Sequence, residues 1–174
     1  MKGALHRRGI DRWEFALRYT ENFIRWYTAF RLRDPRVLDR ESVSTEHLVD
    51  FVRSNLKETG RFVYVPNFYE SLQRKGIDEP EKWALMLLRN VSDHDESTIA
   101  VFLDEFQNTR LPQYNFDIVG DFHESVESPT CPHFVIGSAV SILVKEILGR
   151  GALFGRFDAE RILSRERDAH LLEP

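Results

Sequence analysis

The stretch "STIAVFLDEFQN", Ser97 to Asn108, decides the fold. An apolar run, Ile99 to Leu103, ends in two adjacent carboxylates, Asp104 and Glu105. A short apolar run bounded by polar residues predicts a strand buried on both faces, as in parallel sheets. Ligands of open α/β sheets bind outside the carboxyl ends of the strands, so these acids stand where such a fold does its chemistry. Adjacent carboxylates repel each other, which costs free energy unless a cation or hydrogen-bond donors offset it. A hydrated Mg²⁺ favours one or two carboxylates together with phosphate oxygens. In that division of labour Asp104 holds Mg²⁺, directly or through water, and Glu105 polarises an attacking water as general base. The plain alternative is a solvated strand end with no metal.

Outward from this stretch the chain changes character. Residues 1–92 read mainly as helix. Asp11 is placed to cap a helix through WEFALRYTENFIRWYTAFRL, with Trp13, Leu17, Phe23 (or Thr20), Ile24 and Tyr27 near helical spacing and Arg33-Asp34-Pro35 as its end. SVSTEHLVDFVRSNLKETG carries a capping-box pattern at Ser44 or Thr45, an apolar face of Leu48, Phe51, Val52 and Leu56, and Gly60 as a stop. A third helix is expected within VPNFYESLQRK. A fourth is expected from Pro80 to about Asn90, with Trp83, Leu87 and Leu88 on its apolar face. Residues 93–160 alternate. SDHDEST reads as a loop, NTRLPQYNFDIVGDF as loop then helix, CPHFVIGSA as a second strand, SAVSILVKEILGRG as helix, and ALFGRFD as a third strand or its exit. Strand and helix in alternation predict parallel strands joined by crossovers. The last segment, DAERILSRERDAHLLEP, reads as a charged helix or tail.

Composition narrows the classes. The 174 residues are 42% hydrophobic and 30% charged, which suits one soluble globular domain. The net charge of −4 argues against direct nucleic-acid contact. The longest apolar stretch, Phe134 to Val144, is too short to span a bilayer, and no membrane association is expected. One cysteine, Cys131, allows no internal disulfide and fits a reducing cytoplasm. Next to Pro132 and ahead of an apolar strand, it reads as a buried structural thiol rather than a nucleophile. His94 with Asp93, Asp95 and Glu96 lacks metal-ligand spacing and reads as loop. The aromatics of the first helix spread over more than one face, which suggests core plus a partner surface.

"IAVFLDEF" resembles the Walker B strand of P-loop ATPases of the AAA+ and STAND type. "HFVIGSAV", His133 to Val140, is similar to the next strand of these ATPases, which closes in a small polar sensor residue, here Ser138. "ALFGRF", Ala152 to Phe157, resembles the "PLYGRF"-like stretch of the archaeal-type ATPase family, with Phe154 where Tyr is usual and Ala152 where Pro is usual. The three stretches occur in the family's order and spacing, over about residues 80 to 160. The resemblance implies an α/β, three-layer αβα fold around a parallel sheet and a Mg²⁺-ATP site. Asp104 would be the metal-site acid and Glu105 the catalytic acid. Ser138 would sense the γ-phosphate, and Arg156 would act on phosphate from the same subunit or a neighbour. Ser138 also suits the N-cap of the helix that follows, and Arg156 also suits a surface position or a pair with Asp158.

The family's G-x-x-x-x-G-K-[ST] loop, whose backbone amides and Lys cradle the phosphates, has no counterpart here. Lys2-Gly3-Ala4-Leu5 only partly matches the "GKTALL" that closes such a loop, with Gly3 in the Ser/Thr position. The expectation is a single, partial ATPase-like domain over residues 1–174, without its first strand and P-loop. It would be a fragment with an upstream start or a degenerate paralogue, and nucleotide affinity would be weak. The expected partners are a second copy or another protein. The alternative function is a non-catalytic interaction module that docks through the aromatic first helix.

Overall fold

The computed structural model describes residues 11–56, 60–103, 118–125 and 128–135. Helix α1, Arg12–Leu32, begins at Asp11, whose side chain accepts from the Glu14 backbone N–H at 2.8 Å. This is the capping predicted from sequence, and it satisfies one of the helix's unpaired amides. Arg33 ends the helix in the left-handed conformation (φ 53°), sending its N–H back to the last-turn carbonyls. Asp34 then caps a 3-10 turn, Pro35–Leu38.

Helix α1 is the post against which the other helices stand. It packs on α3 (Val65–Gln73) and on α4 (Pro80–His94), and touches α2 (Leu48–Asn55). Phe23, Ile24 and Ala29 of α1 join Leu48 and Val52 of α2, Val65 and Tyr69 of α3, and Leu88 and Val91 of α4 in one core. A smaller cluster of Ala16, Leu72 and Ala84 closes the other end. Phe62, from a 3-10 turn over Gly60–Tyr64, stacks on Tyr27 with ring centroids 3.8 Å apart and meets Phe23 edge-on at 5.8 Å.

Several local expectations shift. The helix predicted after Ser44 starts later, at Leu48. Ser44 Oγ bonds the His47 ring nitrogen (2.8 Å) rather than a first-turn amide, so the capping box does not form. That helix ends at Asn55, and Gly60 instead opens the next turn at φ +54°. A Cβ on Gly60 would approach the Asp95 carboxylate, 2.7 Å from its Cγ. Of the face expected on α4, Leu88 is buried and Leu87 packs on the core, whereas Trp83 is 53% exposed and Ala84, Leu85 and Val91 are buried with Leu88 instead. It also runs on to His94 through residues read as loop, where Ser92 donates to the Thr130 carbonyl and Asp93 accepts from the Ser128 hydroxyl.

The β-structure among the described residues is one parallel pair. β1, Val101–Leu103, lies beside β2, His133–Val135, in the register Val101↔His133, Phe102↔Phe134 and Leu103↔Val135. Between them in sequence lies α5, Ile118–Ser125, which packs on α4. Helices with a parallel sheet fit the expected α/β class. Val101 enters the helical core. Phe102, however, is 65% exposed and stacks on Phe134 at 4.9 Å. The strand is therefore buried on one face, and no described residue covers the Phe102–Phe134 face.

Within the helical half, Arg25 is almost wholly buried. It pairs with Glu21 at 2.8 Å and donates to the carbonyls of Val37 and Val43, each at 2.8 Å. Glu21 also accepts from Thr45 (2.9 Å) and Arg40 (3.1 Å). Burial alone would raise the Glu21 carboxyl's pKa, but the bonds from Arg25 and Thr45 and the two guanidinium charges outweigh it and hold it below the usual range. Removing one partner of a buried pair strands the other. Arg25→Ala is expected to lower the unfolding free energy by about 3–5 kcal/mol in urea denaturation, with Glu21→Leu/Arg25→Met losing less. Gly60→Ala is expected to lose about 1–2 kcal/mol in the same assay, through its positive φ and displacement of Asp95.

Candidate functional site

The parallel register brings the ends of β1 and β2 level, Leu103 beside Val135. In sequence, Asp104-Glu105 directly follow the first strand, and Gly137-Ser138 follow the second by one residue. Asp104, Glu105, Ser138 and Arg156 lie outside the described residues, as do the 152–157 stretch and residues 2–5. What the structure describes is how the two strands are positioned.

That positioning comes from the last turn of α4. Ser92, fully buried, sends its hydroxyl to the carbonyls of Ser97 (2.6 Å) and Thr130 (2.5 Å). The Asp93 carboxylate accepts from Ser128 (3.1 Å) and from Thr130 Oγ1. Those bonds, the Thr130 bond foremost, hold Asp93 below its ordinary carboxyl range. Two backbone bonds continue the clamp into the sheet, Ile99 N–H to Thr130 O (3.0 Å) and Val101 N–H to Pro132 O (2.9 Å). A short polar sequence thus becomes the joint between helix and sheet. The sequence reading of Asp93 as part of a loop missed this role. The usable signal was the pairing of Ser92-Asp93 with the hydroxyl-rich Ser128-Pro129-Thr130, both next to apolar strands.

Below the joint, Cys131 is wholly buried. Burial first, and then the Asp93 charge, pushes its thiol up to about 11. It is therefore a protonated structural thiol at neutral pH. His133 is buried as well, and its Nδ1–H donates to the Cys131 carbonyl at 2.8 Å. Burial pushes its pKa below the ordinary histidine value, so the ring is neutral, and its Nε2 has no partner among the described residues. Phe122 of α5 meets the ring edge-on at 6.4 Å. The His133 ring faces a carbonyl and an aromatic edge, an arrangement that orders the start of β2.

Among the described residues no group of three or more His, Cys, Asp or Glu side chains is arranged to hold a metal ion. No described helix is long and apolar enough to cross a membrane. In comparison with known proteins, the chain matches no protein-family model, no curated protein and no solved structure.

The buried, neutral His133 gives a pH dependence of defined sign. On unfolding, its pKa returns to about 6.5, so the unfolded chain binds a proton that the folded chain refuses. Its contribution to stability is complete above that pH and declines as the pH falls through it. Unfolding free energy measured from pH 7.5 to 5.5 is expected to fall more steeply for the wild type than for His133→Asn. The depressed carboxyls of Asp93 and Glu21 act lower, with their stabilisation lost as the pH drops below about 4.

Proposed function

We propose that this chain is the core of an ATP-binding domain of the AAA+/STAND type, with a three-layer αβα P-loop NTPase-like fold, in a sequence that does not contain the G-x-x-x-x-G-K-[ST] motif. What supports the reading is the parallel, end-aligned pair of apolar strands, the first followed in sequence by Asp104-Glu105 and the second by Gly137-Ser138. A parallel sheet offers its carboxyl edge to ligands. In this reading Asp104 holds Mg²⁺, Glu105 activates water, Ser138 senses the γ-phosphate and Arg156 stabilises phosphate charge. Without the glycine loop the phosphates lose their amide cradle, so these residues bind nucleotide weakly.

A second reading rests on a different observation. Trp26 and Phe30 stand 65% and 80% exposed on the side of α1 that faces away from the core. Large aromatics left outside in this way mark docking surfaces. In this reading the chain is an ATPase-like interaction module with no nucleotide dependence.

Calorimetric titration with Mg-ATP separates the two. Measurable binding by the wild type, weakened at least about tenfold in Asp104→Ala, is expected if Asp104 holds the metal. Equal binding by both proteins removes Asp104 from the site. Absence of binding by either sinks the nucleotide reading and leaves the second.

A further inference from the structure

We infer that the exposed stripe of α1 pairs with the same stripe of a second copy, antiparallel, about a two-fold axis at Asn22. The inference rests on the reading of α1 as a docking face and names its occupant. Around most of its circumference α1 buries Ala16, Thr20, Ile24, Thr28 and their neighbours. The remaining side carries Arg18, Asn22, Trp26 and Phe30 at helical spacing, all exposed, with Asp11 at the start and Arg33 just past the end, exposed as well.

The ends of this stripe are complementary to each other. Its amino-terminal end carries Asp11 as cap and Glu14 in the first turn, and the cation between them, Arg12, is turned to Glu81 of α4 at 3.6 Å. Its carboxyl-terminal turn is basic, with Arg31 in the last turn and Arg33 after it. A parallel pair would set like charges together. An antiparallel pair sets Asp11 of each copy against Arg33 of the other and opposes the two helix dipoles favourably. One register matches the stripe's ends and its centre, while Phe30 falls opposite Glu14, whose carboxylate pairs with Arg18 of its own helix. With Asn22 on the axis, Asp11 meets Arg33 and Arg18 lies over the Trp26 ring, a cation–π arrangement. Asn22 faces its own copy, a polar pair of the kind that fixes register between helices. Because the patch is self-complementary, the assembly closes as a dimer and does not propagate.

The contact is small. Two large aromatics per copy and their neighbours form an interface at the low end of specific ones, so the association is expected to be weak and to depend on concentration. Sedimentation equilibrium on the full chain from about 1 to 200 µM tests this, with and without Mg-ATP. The expected result is a shift from one chain's mass to two. Trp26→Glu and Phe30→Glu should each weaken it at least about tenfold, with circular dichroism matching the wild type. Arg33→Glu should weaken it by placing acids together. Adding Asp11→Asn, which keeps the helix cap, should recover part of that loss. A single-chain mass up to 200 µM, or a dimer indifferent to both aromatic variants, overturns the inference. A mass that responds to Mg-ATP instead counts against the nucleotide-independent module, whatever the aromatic variants do.

Discussion

The Glu21–Arg25 pair is the constraint on which the helical half depends. An ion pair one helical turn apart is worth little on a surface. Here it lies inside the protein, and the guanidinium also donates through Nη1 to two carbonyls of the loop after α1 and through Nη2 to Thr45. The loop from Arg33 to Thr45 has few large apolar side chains, with Val37 and Val43 as its buried anchors. It is pinned to α1 by charge and hydrogen bonds more than by area. Arginine suits the position because its planar fork reaches a carboxylate and two carbonyls together, which a lysine ammonium does not match. With that loop fixed, α2 is presented to the core at Leu48 and Val52, and α1 becomes a post with one exposed side.

The same logic repeats at the sheet. Three-residue strands do not hold themselves in place, since an isolated two-stranded pair is marginal in water. β1 and β2 are instead registered from outside, by Ser92 and Asp93 at the end of α4. Helix α1 positions α4, and α4 positions the strands. The level strand ends on which the nucleotide reading stands thus trace back to the packing of the first helix.

Much of this organisation was legible in the sequence. The caps of α1, the start of α4 at Pro80, the third helix and the two apolar strands follow from local chemistry, namely side-chain acceptors, proline's fixed φ and runs of apolar residues. What escaped was tertiary. Nothing local distinguishes Arg25, a buried pivot, from Arg18, an exposed partner of Glu14. Trp83 falls on an apolar-looking face, yet the short side chain of Ala84 is the one that fits against α1. Ser92-Asp93 looked like loop because polar residues near a helix end favour turns, and their partners Ser128 and Thr130 are distant in sequence. At the candidate site, the acids after β1 were visible as a motif, whereas the clamp that aligns the strands was not, because its partners lie 35 and 38 residues apart.

The burial of Cys131 makes the chain its own reporter of opening. The thiol sits fully enclosed where α4 meets the start of β2, and no other cysteine competes with it. Thiol reagents attack the thiolate at an accessible sulfur. Modification must therefore wait for the joint between helix and sheet to come apart. Where reclosing is faster than labelling, the labelling rate follows the equilibrium population of the opened form. Where labelling is faster, it follows the opening rate itself. Varying the reagent concentration thus yields both the thermodynamics and the kinetics of the opening that exposes Cys131.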